Sequence, residues 1–304
     1  MSTVDTMNTV RGARRGLIGR DWGSDTRRRF TNNKLGAISV AWLLLVALFS
    51  IFGPLFSQDP NHVDVLSRLE PPSAEHIFGT DQLGRDIFAS VLAGGRVSLL
   101  TAVVATSCAL LMGMVLGTLT GYRGGILDEV LSRIFDVLTT FPTLLLGILI
   151  VVALGPSLTS VIIAIAISYV PLYGRLFRAG TMQVKHHEFV QGVVSLGIPP
   201  IRIVLRHILP NVIVPILVIS TGAMGRVALA EASLSFLGAG IQPPTASWGN
   251  MMADGQPFLQ FYPWFPIIPG TILTSVTVAF SFVGDALRDA FDIRESAASK
   301  SEET

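Results

Sequence analysis

Few stretches of this chain combine residue types that could do chemistry. His187-Glu188-Phe189-Val190-Gln191 approaches the zinc-protease pattern, in which two histidines one helical turn apart hold the metal and the glutamate activates water. Gln191 stands where the second histidine belongs, so a ligand is missing. His186, His187 and His207 could bind nickel or zinc, but as surface residues of one loop they need no metal. Phe282-Val283-Gly284-Asp285 has the aspartate of an intramembrane protease without its extra glycine, which leaves an interface or capping role. A phosphate-binding loop needs a lysine directly after glycine, and the only lysines, Lys34, Lys185 and Lys300, follow Asn33, Val184 and Ser299. ATP hydrolysis by such a loop is therefore excluded for this chain. The one cysteine, Cys108, rules out an intramolecular disulfide. Ionisable residues in apolar runs are functional candidates by default, and Arg226 and Glu231 are two such candidates for a solute path. Counted from His207, Arg226 falls close to the end of its run, where it can snorkel to the boundary.

Such residues are scarce because the chain is built for an apolar solvent. Half of its 304 residues are hydrophobic and 14% are charged, against about 25% charged in ordinary soluble domains. The net charge of +1 hides charges gathered at the ends of long uncharged runs and by itself says nothing about nucleic acid; no nucleic-acid partner is expected, and membrane lipid is. Crossing a bilayer takes about 20 mostly apolar residues in a helix. Runs that long extend from Gly36 to Phe56 and from Val97 to Gly121. The uncharged stretch from Val137 to Gly174 is enough for two crossings, divided at Gly155-Pro156. The first of these should begin near Asp128, because Glu129, Arg133 and Asp136 suit a helical turn emerging from water, with a kink at Pro142. A fifth span runs from about Ile208 to Ala230 and a sixth from Ile267 to Gly284. The expected fold is all-α, a polytopic bundle of about six transmembrane helices. Its parts are a tail (1-35), a first span (36-57), an outer loop (58-96), five further helices (97-285) and a second tail (286-304).

Lys and Arg set the orientation. They crowd the N-terminal tail from Arg11 to Lys34, the connection holding Arg123 and Arg133, the loop from Arg175 to Arg206 and the C-terminal tail, while Arg68, Arg85 and Arg96 alone occupy the other side. Both termini are expected in the cytoplasm. Arg14-Arg15 lacks the apolar stretch of a twin-arginine export signal until about Gly36, so the tail reads as retained. The outer segments, Ser57 to Arg96 and Gly238 to about Phe265, are too short for a substrate-binding domain, and capture of a dilute solute would need another protein. In the inner loop from Gly174 to His207, Phe189, Val193 and Leu196 recur at helical spacing, Gly197 can end that helix, and Pro200 can open the next. A plain amphipathic connector and a docking element for a partner's groove both fit this pattern. Gly113, Gly117 and Gly121 recur every four residues, inviting close approach of another helix, in this subunit or in a sister.

The stretch from Glu188 to Gly197, followed by Arg206-His207-Ile208-Leu209-Pro210-Asn211, resembles the EAA loop of ATP-binding-cassette importer permeases. Phe78-Gly79-Thr80-Asp81-Gln82-Leu83-Gly84-Arg85-Asp86 resembles the dipeptide, oligopeptide and nickel branch of that superfamily. So do Leu234-Ser235-Phe236-Leu237-Gly238, Gln242-Pro243-Pro244, Trp248-Gly249 and the run from Gly284 to Ala290. The resemblance covers about Gly36 to Asp292. Where the motif usually has Glu-Ala-Ala, this chain has Gln191-Gly192-Val193; Gly197 and Leu209-Pro210 match, and Glu188 is a stand-in for the missing glutamate.

This resemblance implies the type I importer permease fold in a bacterial cytoplasmic membrane. It implies that Glu188, Gln191, Gly192, Gly197, Arg202, Leu209 and Pro210 belong to a coupling loop that docks on an ATPase. The expected partners are a second permease subunit, two ATPase subunits that bind ATP and Mg, and an extracytoplasmic solute-binding protein. The chain itself would carry no cofactor or metal and catalyse no reaction, and its cargo would be di- or oligopeptides. A secondary transporter or channel should instead show inverted repeats and paired ionisable residues near the midplane, and a membrane enzyme should cluster His, Asp, Glu or Cys on its spans. Neither signature is present in the sequence.

Overall fold

The computed structural model describes residues 33–302, with side chains through Phe291. The predicted tail upstream, with Arg11 to Arg29, lies outside the described residues, as do the side chains of Arg294 and Lys300. Among the described residues the regular elements are helical: α1 (Lys34–Phe52), α2 (Ile87–Arg123), α3 (Gly125–Thr140), α4 (Thr143–Leu154), α5 (Leu158–Lys185), α6 (Glu188–Ser195), α7 (Pro200–Ile203), α8 (Leu209–Phe236), α9 (Trp248–Gly255) and α10 (Trp264–Glu302). Five segments are long and apolar enough to span a membrane, and six when α3 and α4 are taken as one broken span.

Side chains start these helices and glycines stop them. Asn33, Asp86, Ser157 and Ser247 each accept a hydrogen bond from a backbone N–H in the first turn that follows, satisfying donors that would otherwise be orphaned. Gly124 and Gly155 end α2 and α4 with φ of +66° and +84°, a conformation that costs side-chain-bearing residues dearly.

Helix α1 shows how the bundle inverts the rule for soluble helices. Its buried positions are Gly36, Ser39, Val46 and Ser50, whereas Leu44, Leu48 and Ile51 are exposed. Large side chains face lipid and small ones admit neighbouring backbone. The centre of the fold is α2 against α5. A Cβ at Gly113 would collide with the Tyr173 side chain, one at Gly117 with the Gly174 carbonyl, and one at Gly121 would lie 2.6 Å from the Arg178 carbonyl. The glycine seam thus packs inside this subunit. Val161, Ala164, Val227, Trp248 and Phe265 form one core toward the end bearing α9. Phe135, Tyr173, Phe177, Val190, Ile203 and Ile208 form a second toward the end bearing α6 and α7.

Several expected boundaries move. Pro142 does more than kink a span: α3 and α4 meet at 97°. Phe141, the residue before proline, is extended (φ −78°, ψ 133°), as steric clash with the proline ring requires. The Thr139 hydroxyl donates to the Phe135 carbonyl at 2.8 Å and that of Thr140 to the Asp136 carbonyl at 2.9 Å, closing the end of α3. α2 begins at Ile87, ten residues before the expected Val97, because Asp86 rather than the last charge, Arg96, sets its start. α5 continues past Gly174 to Lys185. Arg178 and Arg175, which looked like the beginning of a loop, pair with Asp128 and Asp136 on α3, so the charges lie along a helix that outruns the hydrocarbon. The fifth span begins at Pro200, passes through a π-turn at Val204–Ile208 and ends at Phe236.

The outer connections are small and ordered by hydrogen bonds. Asp81 accepts from the Leu83 and Arg85 N–H groups and from Arg85 Nε at 2.7, 2.9 and 2.6 Å, and His76 Nδ1 meets Asp86 Oδ2 at 2.9 Å. Gly117→Leu should abolish recovery of folded protein from mild detergent, since the new side chain meets backbone. Val115→Leu, on the exposed face of the same helix, should leave the yield within about twofold; size-exclusion chromatography of both variants reads the difference.

Candidate functional site

The loop expected to couple is shorter than the sequence suggests. Because α5 runs to Lys185, the expected loop of 174 to 207 shrinks to a connection from His186 that holds α6 and a turn before α7. Lys185 anchors it: its ammonium donates to the Tyr122 carbonyl at 2.7 Å and lies 5.3 Å from the Tyr122 ring centroid. Arg178 grips Asp128 with two hydrogen bonds of 2.5 and 2.7 Å, fixing α5 on α3 just before this point.

Helix α6 is amphipathic, and its two faces have different fates. Val190 is fully buried among Ile203, Ile208 and their neighbours, with Val193 partly buried beside it. Phe189 and Leu196, expected on the same apolar stripe as Val193, are instead 50% and 77% exposed, joined by Val194 and Ile201. Glu188 lies in the first turn, where a carboxylate complements the helix dipole. Gln191 explains the departure from the usual glutamate: its amide donates to the Lys185 carbonyl at 2.8 Å. An ionised glutamate has no proton to give there. Nothing lies within 4 Å of where a Cβ on Gly192 would be, so no contact in this chain demands glycine. Gly197 has φ of +69° and turns the chain toward Pro199 and Pro200. Arg202 is exposed on α7. Leu209 and Pro210 lie where the π-turn passes into α8, and proline, having no N–H, cannot complete a regular helical bond there.

Arg226 and Glu231 both belong to α8, yet they go to different places. Glu231 is wholly buried. Its Oε2 accepts from Ser98 Oγ and its Oε1 from Ser235 Oγ, each at 2.8 Å. Ser98 Oγ in turn accepts from the Trp248 N–H at 3.4 Å, while the Trp248 indole donates to the Val91 carbonyl at 3.0 Å. This knot ties α2, α8 and α9 together, so Glu231 acts as internal structure and opens on no path in this conformation. Arg226 is exposed and lies beside Tyr169. Sequence reading missed the knot because Ser98 and Glu231 are 133 positions apart, with no local pattern to connect them.

The geometry has the form of a helical membrane core carrying a small outward-facing helical element at one end. The family described as binding-protein-dependent transport system inner membrane component matches residues 113–296, and the N-terminal transmembrane domain of oligopeptide transport permease C matches residues 22–72. The dipeptide transport system permease protein DppC of Alkalihalophilus pseudofirmus is 41% identical over 87% of this chain and 88% of its own length. The oligopeptide transport system permease protein OppC of Bacillus subtilis is 40% identical, covering 88% of each chain. The probable D,D-dipeptide transport system permease protein DdpC of Escherichia coli is 38% identical over 85% of this chain and 87% of its own. The chain therefore belongs to the ATP-binding-cassette importer permeases, in the dipeptide and oligopeptide branch.

Proposed function

We propose that this chain is one of two permease subunits through which a bacterial importer moves di- or oligopeptides across the cytoplasmic membrane. Two ATPase subunits, which bind ATP and Mg, would drive it and an external solute-binding protein would feed it. Relatives named for dipeptide and oligopeptide transport support the cargo. The observation that carries the coupling role is the exposed apolar set Phe189, Val194, Leu196 and Ile201. It sits on an element held rigid from behind by Val190 and by the Gln191 bond to Lys185. Water alone does not favour such a surface, whereas a groove on a partner does. Because the chain has no phosphate-binding loop, energy must enter by contact. Glu188, Gly192, Gly197 and Arg202 would form the docking surface, with Leu209 and Pro210 at the root of α8, so that movement of α6 reaches the spans through one continuous helix.

In this reading the end bearing α6 and α7 is cytoplasmic. Arg123, Arg133, Arg175, Arg178, Lys185, Arg202 and Arg206 collect there, against Arg68, Arg85 and Arg96 at the other end. Both termini would then be inside, and residues 58-96 and the α9 region would face the receptor. The chain carries no cofactor and catalyses nothing itself.

Gly197→Val forces a β-branched residue into the left-handed region, at a cost of order 1–3 kcal/mol. It should cut peptide-stimulated ATP hydrolysis about tenfold while the complex still co-purifies; undiminished coupling would refute the docking role. A cysteine replacing Gln242 should react with an impermeant thiol reagent added outside intact cells, and one replacing Ser195 should not; the reverse pattern would invert the orientation. Affinity purification in mild detergent should bring down ATPase subunits and a second permease, whereas a lone chain active in transport would point to a secondary transporter.

A further inference from the structure

We propose that Arg226, together with Tyr169, is a carboxylate-binding site for the solute in transit. This rests on the peptide-importer reading above. Four observations carry it. First, Thr277 Oγ1 donates to the carbonyl of Gly225, the residue before Arg226, at 3.4 Å, and Thr277 lies ten residues inside the apolar run from Ile267 to Gly284. Arg226 is therefore level with the interior of that run. Second, Arg226 is exposed, and among the described residues no carboxylate lies within ion-pair distance of it. A charged group at that depth faces water, protein or a ligand rather than lipid.

Third, the partly buried Tyr169 of α5 stands beside it. What the pair lacks is an anion: guanidinium and phenol both donate, and a planar carboxylate fits the guanidinium fork. Fourth, there is room. One turn back on the same side of α8, a Cβ at Gly222 would meet nothing within 4 Å.

A carboxylate suits a path that must pass cargo of many sequences, because every peptide carries one at its C-terminus. One guanidinium open to water holds such an anion while still releasing it, as conduction requires. Acidic side chains present the same chemistry, and so does an acidic residue of the sister permease; the experiment separates the three.

The complete importer, with its sister permease, ATPase subunits and receptor, is reconstituted in proteoliposomes with receptor saturated. Uptake of Ala-Ala-Ala and of Ala-Asp-Ala is read per ATP hydrolysed. Losing a charged hydrogen-bond partner corresponds to about tenfold, so Arg226→Gln should lower the peptide carried per ATP about tenfold for both peptides. Arg226→Lys should retain most of it, and Tyr169→Phe should fall between the two. A loss confined to Ala-Asp-Ala keeps the carboxylate site and assigns it to acidic side chains. Unchanged transport of both peptides by Arg226→Gln overturns the proposal. So does failure of that variant to co-purify with the sister permease, which would make Arg226 half of an intersubunit ion pair. If the wild-type complex carries neither peptide, the peptide reading itself has failed, and the site with it.

Discussion

Gly113, Gly117 and Gly121 let α2 lie directly on the backbone of α5 at Tyr173, Gly174 and Arg178, and most of the remaining architecture hangs on that approach. In hydrocarbon, apolar side chains gain nothing by leaving one apolar medium for another, so helices associate through close packing and hydrogen bonds. The seam provides the packing in the middle of the pair. Polar contacts fasten α2 at both ends: to α5 where Lys185 meets the Tyr122 carbonyl, and to α8 and α9 through the Ser98–Glu231–Ser235 group with Trp248. α5 is therefore a fixed axis, and α6, which begins three residues after it ends, inherits its position.

The sequence revealed those features that depend on spacing along the chain. Apolar runs located the spans, Gly155 marked the turn between two of them, and the four-residue glycine repeat announced a close helix contact. Features that depend on partners distant in sequence stayed hidden. Charges at Arg175 and Arg178 looked like the end of a helix because nothing local shows that Asp136 and Asp128 wait on α3 to receive them. The amphipathic stripe of α6 was legible as a stripe, but which apolar residues face inward was not: Val190 turns in and Phe189 turns out, a choice made by the packing of Ile203 and Ile208 behind it. The candidate site residues divide in the same way. Gly197 could be read from its place after a helical pattern, while the reason for Gln191 required seeing the Lys185 carbonyl within its reach.

The elbow between α3 and α4 has a consequence for where this chain can exist. α4 is 12 residues long, about 18 Å, and cannot cross a bilayer by itself. The elbow must consequently sit well below the membrane surface, with Phe141, Pro142 and Thr143 all exposed on this subunit. Irregular backbone at such depth is tolerated only against protein or a water-filled space, never against acyl chains. A solitary copy would thus present to the bilayer a surface that lipid wets poorly, and would pull water and headgroups inward around the elbow. Hydration at that depth would then depend on the protein surface that covers the elbow rather than on this chain alone.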